Sequence, residues 1–331
     1  MATLLVFSTT CSGHTILYVK PTPHAPCPAD PCLTLSQYAQ QPHHYLTSNT
    51  TLLLLPGDHV LSVNFRVENV SDIEINTAQL FSHAENQAVK VVCKGYVGFI
   101  FRNISHLTLH SLMFDSCGKY TDEYIQVNSR IYHQTALGIS IYSGENIMIT
   151  NCSFRDSIGT ALGVFSSSLD LRGSNSFMNN CRRCSSRNQT CICLGGGIHA
   201  STSILFFTGN NTFRDSSAEV GGGIFAYYST LTFNGDSSFR NNLVEVDGGG
   251  IFAYHSTLNI TGNCTFSDNS AKQDGGGTHS LYSNVTVSGN STFRNNTANN
   301  GGGTNAEYST LNITGNCTFS DNSAKLNGGG I

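Results

Sequence analysis

The chain has 331 residues, 11% of them charged, and a formal net charge of -4, so it has no basic surface to hold nucleic acid or an anionic membrane. Gly is frequent at 33 residues, Pro scarce at 7 and Trp absent, a composition that suits short strands and tight turns and speaks against a helical fold. Length alone allows two ordinary domains, but a repetitive chain of this size is one continuous solenoid.

Residues 2–7 (ATLLVF) form a short apolar run before Cys11, Ser12 and Gly13. Residues 1–13 therefore read as the tail of a secretory signal peptide that lacks its basic start. The other end falls inside a repeat, and the chain is expected to be cut at both ends. No stretch is apolar enough to cross a bilayer, which leaves room for a membrane anchor beyond Ile331.

Residues 14–60 read as an N-terminal cap. Cys27 and Cys32 (CPADPC) suit a small disulfide loop, 33–40 (LTLSQYAQ) a capping helix or strand, and 51–60 (TLLLLPGDHV) a strand closing on a Pro-Gly turn. Such a segment covers the open apolar end that every solenoid must protect. From 61 to 331 the expectation is a single-stranded, right-handed parallel β-helix. Degenerate coils appear at 104–117 (ISHLTLHSLMFDSC), 147–157 (IMITNCSFRDS) and 169–180 (LDLRGSNSFMNN), each an alternating run followed by Phe and then Asp or Asn.

Cys93 and Cys117 are candidates to pair across coils. Residues 119–146 break the pattern, and Asp122, Glu123, Arg130 and His133 make this the one place where a catalytic site could sit. Residues 181–194 are a Cys-rich insertion that lengthens one coil to 36 residues between Phe177 and Phe213. Its Cys181, Cys184, Cys191 and Cys193 have zinc-like spacing, but disulfides are the stronger reading in a secreted chain.

From 195 onward a Gly triplet recurs at Gly195, Gly221, Gly248, Gly275, Gly301 and Gly328, a period of 26 or 27 residues, and a fixed period in this range means a solenoid. Each unit reads as about three short β segments. Leu231, Leu258, Val285 and Leu311 align, and two residues later so do Phe233, Ile260, Val287 and Ile313, the alternation of a half-buried strand. A second column, Phe213, Phe239, Phe266, Phe293 and Phe319, is followed three residues on by Ser216, Asn242, Asn269, Asn296 and Asn322. Stacked about 4.8 Å apart, these columns predict an aromatic ladder beside an amide ladder. Gly235, Gly262, Gly289 and Gly315 mark a corner where a positive φ or tight packing excludes a side chain.

Sequons begin at Asn49, Asn69, Asn103, Asn151, Asn188, Asn210, Asn259, Asn263, Asn284, Asn290, Asn295, Asn312 and Asn316, and the chain has 12 Cys. Both point to an extracellular, secreted or cell-surface glycoprotein with disulfides. Asn263, Asn290 and Asn316 share a repeat position, and branched glycans at that spacing would crowd one another. Cys264 and Cys317 share another, two coils apart with Ser291 between, too far for a disulfide. They and Cys152 are expected to be buried free thiols.

Two further groups invite a chemical reading. Asp215, Asp268 and Asp321 could supply an acid pair or a calcium site, but they recur in step with the repeat, as turn residues do. His199, His255 and His279 fall near one repeat position and read as scattered polar residues. No residue is assigned a catalytic, cofactor or metal role.

The GGGI runs at 221–224, 248–251 and 328–331, with F-x-x-N at 239–242, 266–269, 293–296 and 319–322, resemble the polymorphic outer membrane protein repeats of chlamydiae. The segment TLLLLPGDHVL resembles the opening strand of pectin-lyase-fold proteins. With its sequons and Cys, the chain is similar to the large β-helix surface proteins of marine invertebrates. This resemblance implies a surface-exposed, adhesin-like protein with an unidentified protein or glycan ligand. It transfers no catalytic residue. The competing expectation is a polysaccharide lyase or hydrolase on the same fold.

Overall fold

A computed structural model of the chain describes residues 13–78, 89–120, 124–127, 130–133, 136–181 and 193–331. Nearly every strand pairs in parallel with the strand one coil away. Among the described residues these strands gather into three long sheets of 12, 10 and 10 strands and a short one of 5, a right-handed parallel β-helix. No helix among them is long and apolar enough to cross a membrane.

One regular coil gives the plan. Thr257–Ile260 lies in the first sheet, Thr265–Ser267 in the second, Ser270–Ala271 in the short fourth and Thr278–Leu281 in the third, after which Asn284–Val287 returns to the first. From Ser217 onward each regular coil thus has one segment more than the three read from the sequence. Two-residue strands such as Ser270–Ala271 are too short to display an alternation.

The register is uniform from coil to coil: Leu231 pairs with Leu258, Leu258 with Val285 and Val285 with Leu311, and Phe233, Ile260, Val287 and Ile313 pair successively in the same way. The Phe column points inward and stacks, with ring centroids 4.7 to 4.8 Å apart and planes within 6° from Phe213 through Phe239, Phe266 and Phe293 to Phe319. Upstream it continues through Phe177 and Phe154. Beside it runs the amide ladder. The Oδ1 atoms of Asn242, Asn269, Asn296 and Asn322 each accept the backbone N–H of the residue one coil back, at 3.0 to 3.2 Å.

The corners account for most of the remaining repeat residues. Where the short fourth sheet passes into the third, the first Gly of each triplet has φ between 58 and 72°, a conformation open to Gly at little strain. The third Gly has another role: a Cβ on Gly250 would stand 3.0 Å from the ring of Phe266, so the triplet makes room for the Phe column. At the corner after the first sheet, tight packing is the operative reason. A Cβ on Gly262 would lie 2.2 Å from the carbonyl oxygen of Gly235 on the adjoining coil.

Toward the N-terminus, the first sheet reaches back past residue 61. Thr15–Lys20 pairs in register with Thr50–Leu54, which in turn pairs with Ile73–Thr77. The segment 33–40 resolves mainly as a helix, Leu35–Gln40, held by a capping box between Thr34 and Gln37. Leu35, Tyr38 and Ala39 are buried in the main core, so this helix closes the apolar end. Cys27 is bonded to Cys32, Cys93 to Cys117 and Cys181 to Cys193; Cys184 and Cys191 lie outside the described residues.

Candidate functional site

The residues singled out from the sequence do not converge on one cleft. Asp122 and Glu123 lie outside the described residues. For Arg130 and His133 the description ends at the backbone, where Tyr124–Val127 and Arg130–His133 form an antiparallel hairpin. Twelve of the thirteen sequon asparagines are described; Asn188 is not. Eleven of the twelve are exposed and Asn259 is half-buried, so none is shut inside the core. Asn263, Asn290 and Asn316 do form one outer column, in which Oδ1 of Asn263 accepts the N–H of Asn290 and Oδ1 of Asn290 that of Asn316.

Asp215, Asp268 and Asp321 sit at the corner after the second sheet with φ of 55 to 59°. Asn241 and Asn295 occupy the same position on intervening coils and donate to Asp215 and Asp268 at 2.8 and 2.6 Å. Arg214 pairs with Asp215, and Arg240 with Asp268. Carboxylates therefore alternate with amides, and no two of them adjoin as an acid pair would. Cys152 and Cys264 are buried free thiols whose pKa burial pushes up to about 12, and Cys317, on the last coil, is half-buried and free.

The three histidines do not share one position. His199 and His279 fall in one column of the third sheet, separated by Phe225 and Phe252, whereas His255 stands at the corner beyond that sheet. His199 lies between the rings of Phe165 and Phe225, each 5.1 Å away, and neither of its nitrogens has a hydrogen-bond partner. Burial alone pushes its pKa down to about 3 from 6.5.

This burial has a consequence for acid stability. Between pH 6.5 and about 3 the unfolded chain binds a proton at His199 that the folded chain does not, so stability falls as the pH falls through that window, by up to about 1.4 kcal/mol per pH unit. His199→Phe, the residue of the next coil in this column, is expected to remove that share of the acid sensitivity. Melting curves at pH 7, 6 and 5 measure it; a variant as acid-sensitive as the wild type would count against the assignment.

The outer surface carries a pattern of its own, separate from the inward columns. At the corner between the third and first sheets, Tyr228, His255, Tyr282 and Tyr308 occupy one position on four consecutive coils with φ of 46 to 51°. Their rings stack at 4.8, 5.0 and 5.1 Å with planes 10 to 11° apart, and Tyr228, Tyr282 and Tyr308 are 51, 41 and 73% exposed. Tyr227 and Tyr254 form a second row behind them, stacked at 5.6 Å. Burial, then Tyr228 and Tyr254, raise the pKa of the Tyr227 phenol.

The next residue holds this ridge in place. Ser229, Ser256, Ser283 and Ser309 turn inward, and each Oγ accepts the backbone N–H of the serine one coil back at 2.9 to 3.0 Å. The visible signal is the recurring Tyr-Ser or His-Ser pair at 228–229, 255–256, 282–283 and 308–309. A bulky side chain at positive φ is strained. Its recurrence on four coils sets an aromatic edge facing solvent, with phenol and imidazole groups spaced by the coil rise.

The family model of the Chlamydia polymorphic membrane protein repeat matches residues 263–281 and 316–331, within the regular coils. The search of the curated proteins finds no match. Among solved structures, the chain is similar to ORF18 of Geobacillus virus E2, with 10% identity and a TM-score of 0.39 over 82% of this chain and 53% of that one. It is also similar to pectate lyase Pel9A, with 11% identity and a TM-score of 0.35 over 92% of this chain and 78% of that one. The chain spans about half of the viral protein.

Proposed function

We propose that this chain is an extracellular, adhesin-like recognition scaffold that binds a protein or glycan along its outer faces and carries out no turnover. The observation that carries the reading is the stacked ridge of Tyr228, His255, Tyr282 and Tyr308. Tyrosine combines a large contact area with few rotatable bonds and a polar tip, which is why it recurs at binding hot spots. Four coils of identical backbone repeat this edge, and a repeated edge fits an extended partner better than a single small molecule. Bonded cysteines and outward-facing sequons support the extracellular setting.

The test is an array of immobilised glycans and extracellular-matrix proteins probed with the full chain and with the Tyr228→Ser/Tyr282→Ser/Tyr308→Ser variant. The wild type is expected to bind at least one of these ligands, and the variant to bind it more than about tenfold less tightly, as the loss of hot-spot tyrosines implies, with an unchanged circular dichroism spectrum. No turnover of pectate, alginate or hyaluronan with added calcium is expected. Turnover, no binding at all, or equal binding by the variant would overturn the proposal.

A further inference from the structure

The residue just before each Gly triplet faces the second residue of the following third-sheet strand. In the early coils Leu194, Val220, Phe225 and Phe252 form a buried apolar cluster on the outer face of the third sheet, with His199 at the head of the facing column. The character then changes. Asp247 and Asp274 take the place of Val220 on two consecutive coils, and His279 follows Phe225 and Phe252 in the facing column.

His279 is 2% exposed, and neither of its ring nitrogens has a hydrogen-bond partner. A buried imidazole in that state has lost its hydration without replacement. Its Nδ1 is aimed at Oδ2 of Asp247, 3.7 Å away. That is too long for a hydrogen bond but close to the separation of two tetrahedral ligands of one zinc ion, which at about 2.0 to 2.2 Å from the metal stand about 3.3 to 3.6 Å apart. One nitrogen of His279 and one carboxylate oxygen each from Asp247 and Asp274 all lie within 4.8 Å of one another.

The remaining carboxylate oxygens are already held. Asp247 Oδ1 accepts the backbone N–H of Asp274 at 3.0 Å, and Asp274 Oδ1 accepts Nδ2 of Asn300 at 2.7 Å, whose own Oδ1 accepts Nδ2 of Asn327 at 3.0 Å. Such outer contacts orient each carboxylate while leaving its second oxygen for a ligand. Asp247 and Asp274 are half-buried, so an ion can reach them from solvent, while His279 closes the inner side.

We infer that Asp247, Asp274 and His279 form a binding site for a divalent transition metal of the zinc class, which clamps two consecutive coils together. An imidazole with two carboxylates is a zinc-like donor set, whereas calcium and magnesium take all-oxygen shells. His199 is the internal control: it lies in the same column and is equally buried, but Leu194, not Asp, stands at the facing position of its coil.

The experiment uses the full chain, stripped with EDTA and titrated with zinc chloride by calorimetry and by thermal melting. One zinc is expected to bind per chain and to raise the melting temperature. His279→Phe repeats the residue of the two preceding coils and should fold; it is expected to weaken zinc binding at least about a hundredfold, the upper range for losing even an outer contact. Asp274→Asn, isosteric and able to keep the Asn300 contact, is expected to weaken it at least about tenfold, and His199→Phe to leave it unchanged. Undiminished binding in both site variants, no saturable site in the wild type, or calcium chloride binding as tightly as zinc would overturn the assignment. A melting temperature that does not respond to zinc would likewise overturn it.

Discussion

Phe266→Ala is expected to destabilise the chain by about 3 to 5 kcal/mol, the range for truncating a fully buried aromatic residue. Phe266 is 0% exposed and stacks between Phe239 and Phe293 at 4.8 and 4.7 Å. The cavity cannot collapse readily, because the backbone around it is pinned by parallel pairing on both sides and Gly250, which lines the ring, has no side chain to move in. Each coil contacts only its neighbours, so the damage should be local. Hydrogen exchange should accelerate first in the strands Thr265–Ser267 and Thr292–Arg294. Denaturant unfolding gives the total, and a loss below about 1 kcal/mol, the scale of a surface change, would mean that the column does not carry the core.

Asn269→Leu is expected to cost about 2 to 4 kcal/mol despite keeping the branching of the side chain and adding apolar surface. The Asn269 amide accepts from the backbone N–H and the Nδ2 of Asn242 at 3.1 and 3.0 Å, and donates to Phe239 O and Asn296 Oδ1 at 3.0 Å each. Leu would leave the buried Asn242 N–H without an acceptor, a penalty of about 1 to 3 kcal/mol by itself, and would remove three further bonds from a cooperative chain. Asn269→Ser should be milder, because Ser216 already serves this position, its Oγ accepting the N–H of Asn180 at 3.2 Å. Equal losses for Leu and Ser, measured by chemical denaturation, would show that the amide ladder adds little.

Much of this was legible because a solenoid repeats its own evidence. Once the Gly triplets set the period, stacking turned sequence alignment into spatial contact, so aligned residues such as Leu231 and Leu258 became neighbours in register. Inward columns are the easy part, since burial selects for apolar identity. Outward positions face no such selection. The Tyr228 ridge went unread because its mark is a backbone angle, and nothing in the letters Tyr-Ser announces a positive φ.

What the sequence determined by itself is therefore the periodic part: the β-helix, the stacked phenylalanines and the amide ladder beside them. These follow from short-range pattern and a fixed coil rise. Only the tertiary structure decided which residues meet around a corner. It placed His279 beside Asp247 although 32 positions separate them, moved His255 away from His199 and His279, and showed that Gly262 is required by the carbonyl of the coil below it and not by its own φ. The physical reason is that a corner's angle comes from packing between coils, a relation of two chain segments that no single repeat unit contains.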